Sequence, residues 1–296
     1  MAQIINTNIP SLNAQRNLTT SQGSLTQALQ RLSSGLRINN ARDDAAGMAI
    51  AENMSAQSRG MTVAMRNAND GISAGQTAEA GLTAIGGHLQ RMRELAVQAA
   101  SGQYDDVNRS ALDAEFKQLR SEISRAIDAT NFNGKKLLTG DFTSSAGGVT
   151  FQIGATTGSE SQIGITIADF AAEMTNSSFA APNASSIVSA TQVAMGSASI
   201  TDATVALQAV DSIDNMLKQV NSARADLGAI QARFEGVITQ LSAAQENTEA
   251  ARSRITDADY GAETAKLARA QILQQAGTAM LAQANALPQN VLSLLQ

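Results

Sequence analysis

His88 is the chain's single histidine, and three close carboxylate pairs, Asp43/Asp44, Asp105/Asp106 and Asp257/Asp259, are its only other candidates for acid–base chemistry. Two carboxylates divide acid and base roles when a buried cleft holds their pKa values apart. All three pairs instead fall in turn-like stretches or just ahead of helical patterns, where Asp caps a helix or faces water. His88 has no second histidine with which to build a triad or a metal set, and reads as a partly exposed helix residue. The absence of cysteine removes thiolate nucleophiles, Cys-based zinc sites and disulfides together. No Gly-rich phosphate loop or EF-hand spacing is present. The residues predict no enzyme: no catalytic group, no metal and no cofactor.

Composition points the same way. Apolar residues make up 43% of the 296 residues but aromatics only 3%, while Ala, Gly and Ser abound. Large aromatics bury the most area per residue in a compact core; long helical bundles with close backbone approach need fewer. The net charge of -5 offers no basic footprint for nucleic acid. No basic amphipathic face suits a membrane surface, and the C-terminal stretch 270–296 is too rich in Gln and Asn to span a bilayer. The N-terminus lacks the basic region and apolar core of a cleavable signal peptide, its first cation being Arg16.

The elements follow from periodicity. Pro10 suits the first turn of a helix that runs to about Leu36, with Leu18, Leu25 and Leu32 seven apart and Leu29 and Leu36 as companions. The stretch 35–40, with Gly35, Asn39 and Asn40, reads as a break. A second helix is expected from about Asp44 to Ala100, with Met54, Met61 and Met65 as core filler, and a third from about Asn108 to Ala129. Next, Val149, Phe151 and Ile153, then Ile163, Ile165 and Ile167, alternate with other residues, which predicts a β-hairpin. Residues 168–199 are the least determined. From about Thr201 a long helix carries Ile213, Val220, Leu227, Phe234 and Leu241 seven apart, the strongest internal seam. The Asp/Thr cluster at 256–259 starts a last helix bearing Leu273, Met280, Leu287 and Leu294, interleaved with Gly277, Ala284 and Val291. Neither terminal stripe closes a seam of its own. The simplest architecture is mostly α, an elongated folded-back bundle whose two ends pair as a coiled coil, with a small β-hairpin region in mid-chain.

Several long motifs then match a known family in order. The stretches 2–9 (AQIINTNI), 32–39 (LSSGLRIN) and 41–48 (ARDDAAGM), with 282–285 (AQAN) and 288–295 (PQNVLSLL), resemble the terminal regions of bacterial flagellin. The likeness spans roughly residues 1–140 and 200–296, and only about 60 residues separate the two halves, so little or no outer-domain insert is expected. The resemblance implies a structural subunit that polymerises into the flagellar filament for swimming motility. Residues 1–40 and 256–296 would form its terminal coiled-coil domain. Residues 41–255 would form a rod-like helical domain containing the hairpin and a variable segment at about 141–199.

The resemblance also implies secretion without a cleaved signal peptide, through the flagellar type III apparatus and in an unfolded state, to the extracellular flagellum. It implies an export chaperone, cap and hook-junction proteins as partners beside further copies of the chain. Host innate immune receptors join them: Gln90, Arg91, Leu95 and, on the next helix, Glu115 match the pattern of members that stimulate the vertebrate receptor. The tail at Leu292, Leu294 and Leu295 would be read by a chaperone and a cytosolic sensor. The polymerisation seams would comprise Leu18, Leu25, Leu29, Leu32, Leu36, Leu273, Met280, Leu287, Val291 and Leu294, and both termini are expected to order on assembly. A hook-filament junction protein shares the terminal features, but the length of the match at 37–49 and the tail favour flagellin. A chemoreceptor-like signalling hairpin would need heptads continuing through a helical tip, where this chain has a Gly/Ser/Thr-rich insert.

Overall fold

The computed structural model describes residues 8–142, 148–171 and 199–293, with side chains described to residue 286. Five helices and two hairpins follow in chain order among them: α1 (Ile9–Ser34), α2 (Ala45–Ala100), α3 (Asp106–Ala129), β1 (Asn131–Phe132), β2 (Lys135–Lys136), β3 (Val149–Gln152), β4 (Gln162–Ile165), α4 (Ala203–Thr256) and α5 (Tyr260–Ser293). The protein is mostly α with a small antiparallel hairpin in mid-chain, as the periodicity predicts. The described chain divides into two compact units, residues 1–59 with 245–296 and residues 60–244. The sequence reading draws its division at the helix breaks near 40 and 256; the units divide instead between 59 and 60 and between 244 and 245.

Helix ends are set by local chemistry. The Asn8 side chain accepts from the Ser11 amide at 3.2 Å and Pro10 occupies the first turn of α1. The helix stops at Gly35, which adopts φ 71 while its amide donates to the Arg31 carbonyl. Arg109 reaches back from α3 to donate to the Ala99 and Ser101 carbonyls at 3.0 and 3.3 Å, satisfying acceptors that the end of α2 leaves open.

Unit 60–244 holds the large side chains. On α2 Leu82, Ile85, Leu89, Met92, Ala96 and Ala99 are buried in 3-4 alternation. They pack with Phe116, Ile123 and Ile127 of α3 and with the α4 seam. Of that seam, Ile213, Val220, Leu227 and Phe234 are buried and Leu241 is half-buried. The core also takes in the β3–β4 hairpin, where Val149 pairs with Ile165 and Phe151 with Ile163. Phe151 meets Phe234 edge-on at 5.9 Å. On its other side Phe234 lies over Gly71, where a Cβ would come within 2.7 Å of the ring. A glycine inside a helix costs about 1 kcal/mol against alanine; here it is the only residue that leaves room for the ring.

The sequence reading did not anticipate the β1–β2 hairpin. Asn133 and Gly134 form its two-residue turn with φ 50 and 79, the type I′ conformation that Asn-Gly favours. That dipeptide was the signal, but the strands are too short to show alternation.

A buried carboxylate ties α3 to the start of α4. Asp113, 4% exposed, accepts from the Ser199 hydroxyl and the Ile200 amide, each at 3.0 Å, and pairs with Lys117 at 2.6 Å. Burial pushes its carboxyl up, but the bonds from Lys117, Ile200 and Ser199 together outweigh burial and hold it below the ordinary value of 3.8. A lowered folded pKa contributes stability that is complete above the unfolded value and lost as pH falls through the folded one. Asp113→Asn should therefore cost about 1–3 kcal/mol at pH 7. The difference from the parent chain should shrink as pH drops below 3.8. Urea unfolding followed by circular dichroism at pH 7 and pH 3 checks both; a difference independent of pH would contradict the assignment.

Candidate functional site

The chain ends meet along α1 and α5, which pack antiparallel. Asn8 donates to the Ala284 carbonyl at 2.8 Å and the Ser11 hydroxyl donates to Asn285 at 2.9 Å. Leu18 lies against Gly277, where a built Cβ would stand 3.2 Å from the leucine Cδ1. Arg31 approaches Glu263 at 3.7 Å. Beyond the helices the connectors bond to one another. The Arg37 amide donates to the Thr256 carbonyl at 2.6 Å, the Ala258 amide donates to Gly35 at 2.9 Å, and Leu36 bridges Asp257.

The buried stripe on α1 is a heptad of alternating size. Leu18, Leu25 and Leu32 are half-buried, with Ser21 and Ala28 between them and Ser11 and Ala14 ahead of them in the same stripe. The stripe on α5 is Glu263, Leu267, Ala270, Gln274, Gly277, Leu281 and Ala284, again in 4-3 spacing. This corrects the expected phase. Leu29 and Leu36 are exposed rather than companions of the α1 leucines. Leu273 and Met280, 51% and 63% exposed, face away from α1, and the interleaved Gly277 and Ala284 occupy the seam instead. The reason is steric: Leu18 seats closely only where the facing residue lacks bulk, and two facing leucine rows would hold the backbones apart. Leu287 and Val291 have side chains outside the described set, and Leu294 lies outside the described residues altogether.

Exposed apolar residues therefore line the outer surfaces of this pair: Ile9, Leu12 and Leu29 on α1, and Ile272, Leu273 and Met280 on α5.

The four residues matched to receptor contact do not share one surface. Gln90, Arg91 and Glu115 are exposed, and Arg91 joins α2 to α3 through Glu115 at 2.8 Å while also pairing with Glu94 at 2.9 Å. Glu94 and then Glu115 raise the Arg91 pKa above its ordinary value. Leu95 is fully buried and is no surface contact; its part of the α2 turn faces the core. Nearby Arg93 forks onto Asp214 of α4 at 2.6 and 3.1 Å.

The close carboxylate pairs serve helix ends and turns. Asp44 accepts from the Gly47 amide, Asp105 from Asn108, and Asp259 from Gly261 and Ala262. Asp43 accepts from the Asn39 and Asn40 amides, with its pKa held below the usual range by the Asn39 bond first and the Asn40 bond next. Asp257 accepts from Ser253 and Thr256. Among the described residues no group of His, Asp and Glu could hold a metal ion, and no helix is long and apolar enough to cross a membrane. Sequence reasoning missed Arg31, Glu263, Arg37 and Asp113. The small-residue heptad on α5, which contains Glu263, was a readable signal for that residue.

Comparison with known proteins gives the family. Residues 5–143 match the bacterial flagellin N-terminal helical region and residues 210–295 the bacterial flagellin C-terminal helical region. A flagellin of Halalkalibacterium halodurans is 44% identical over 99% of this chain and 100% of its own length. A flagellin of Bacillus subtilis is 41% identical over 99% of both chains. The crystal structure of Bacillus cereus flagellin superposes with a TM-score of 0.46 at 24% identity, covering 60% of this chain and 88% of that one. The chain belongs to the bacterial flagellin family, in a short form, and is a structural subunit that polymerises into the flagellar filament.

Proposed function

We propose that the outer face of the α1–α5 pair is the surface on which neighbouring copies close in the filament, and that both chain ends become ordered only there. The observation that carries this reading is a contrast between the units. Among the described residues, the buried apolar side chains of 1–59 and 245–296 are Ala28, Ile38, Ala51, Ala270 and Ala284, whereas unit 60–244 fully buries Phe116, Phe142, Phe170 and Phe234. Burial stabilises in proportion to apolar area, about 25 cal/mol per Å², and alanine has little to give. Ordering the backbone costs about 1–2 kcal/mol per residue. A seam of this kind needs further apolar burial, and the exposed Leu29, Leu273 and Met280 are placed to supply it against another copy.

Ends that do not order alone also suit passage through a narrow export channel as unfolded chain, without a cleaved signal peptide, and capture by an export chaperone. The cap and hook-junction proteins are the partners expected at the two ends of a growing filament. Recognition by an innate immune receptor fits Gln90, Arg91 and Glu115, which are exposed across α2 and α3, with Leu95 holding the α2 face in place from below.

Three outcomes test these readings. Leu273→Asn with Met280→Asn should raise the critical concentration for polymerisation about a hundredfold or more, on the burial of two side chains at about 1.5–3 kcal/mol each. The circular dichroism of the soluble chain should not change, and sedimentation of polymer from monomer measures the effect. Amide exchange on monomer should be fast across residues 9–34 and 260–293 and slow across the α2–α4 core. Protected termini in monomer would sink the ordering-on-assembly reading. Arg91→Glu should weaken receptor activation by monomer roughly tenfold or more; an unchanged dose response in a reporter cell would remove the patch from consideration.

A further inference from the structure

The α1–α5 seam matches itself after a slide of one heptad. Leu18, Leu25 and Leu32 repeat every seven residues on one helix, and Ala270, Gly277 and Ala284 repeat every seven on the other. Sliding α5 by seven residues in either direction brings Leu18 from Gly277 against Ala270 or Ala284, small residues that are themselves buried. Apolar packing changes little in such a slide, so the seam discriminates poorly between registers.

The polar groups at the connector end do not repeat. Glu263 is 5% exposed, and its carboxylate pairs with Arg31 at 3.7 Å and with Lys266 at 2.9 Å. Either slide takes Glu263 away from Arg31 and leaves its carboxylate with Lys266, its own helix neighbour, as ion-pair partner. Three residues past the end of α1, Arg37 donates its Nε and Nη2 to the Ile255 carbonyl at 3.1 and 2.6 Å, closing the end of α4. The same slide breaks the adjacent backbone bonds from Arg37 to Thr256 and from Ala258 to Gly35.

We infer that the register of the terminal helix pair is set by Arg31, Glu263 and Arg37 at the connector end, and not by the apolar seam. Loss of the Arg31 pairing together with the connector hydrogen bonds disfavours the slipped registers about tenfold or more, whereas the seam contributes affinity without choosing a register. The role is one of positioning. It determines which outer residues of α1 and α5 stand level with each other, and so the pattern that the pair offers to a second copy.

The absence of native cysteine permits a direct test. The Leu18 Cβ lies 3.9 Å from a Cβ built on Gly277, within the range a disulfide spans. Full-length chains carrying Leu18→Cys with Gly277→Cys report the native register, and Leu18→Cys with Ala270→Cys or Ala284→Cys report the slipped ones. Each is oxidised under polymerising conditions, and the link is read as monomer-mass product on a non-reducing gel. Only the 18–277 link should form in the parent background and with Leu25→Ala, which weakens the seam.

With Arg31→Leu, Glu263→Leu and Arg37→Leu combined, the 18–277 product should fall several-fold and a slipped link should reach a comparable yield. Retention of 18–277 alone in that variant would overturn the inference, as would its loss with Leu25→Ala. Should the triple variant form no link at all, the charge exchange Arg31→Glu with Glu263→Arg decides: recovery of the 18–277 link supports the inference and its absence refutes it.

Discussion

Covering the apolar stripe of α1 is the requirement on which the rest of unit 1–59 with 245–296 depends. A 26-residue helix with a leucine every seventh position has no partner near it in sequence, since residues 35–44 form a break and α2 carries its own core face. The stripe is met by α5, more than two hundred residues later, through contacts that run from Asn8 with Ala284 to Leu36 with Asp257. Closing so long a loop is less costly than its length suggests, because closure entropy grows only with the logarithm of length. What limits the pair is the small area that its alanine, serine and glycine positions bury.

The two units consequently rest on different physics. Unit 60–244 has four fully buried phenylalanines and unbroken 3-4 rows on α2 and α4, and it resembles an ordinary close-packed core. The terminal pair gains little per residue from its own seam and carries large side chains on its outside. The proposed ordering of the ends on assembly rests on this contrast between a unit with a large-residue core and a helix pair joined mainly through small residues. Ionic groups contribute position more than stability. Arg91 with Glu115 and Arg93 with Asp214 are exposed pairs of small energetic value, yet each ties α2 to a different neighbouring helix. Asp113 and Glu263 are buried, and therefore costly to strand.

Much of the fold was legible in the sequence, because long helices announce themselves by repetition. The ends of α1 and α2, the β3–β4 alternation and the Ile213-to-Phe234 row were all readable, since period and cap chemistry are local properties. The β1–β2 hairpin was not, as two-residue strands have no period. The phase of the terminal seam also escaped: Leu273 and Met280 carry large apolar side chains, but Gly277 is the residue that lets Leu18 approach. Leu95 was assigned to a surface with Gln90 and Arg91, but it is fully buried one turn beyond Arg91, at the edge of the α2 face that packs into the core.

From the sequence alone came the mostly helical class, the helix boundaries and the family motifs at both ends. Each of these depends on residue type and short-range spacing. Tertiary structure decided which of two adjacent apolar rows on α5 is covered, which Asp and Glu are buried, and how the connectors clasp. Hydrophobic periodicity shows that a helix has an apolar side, but close packing selects the face with the best fit, and that fit is a property of both helices together.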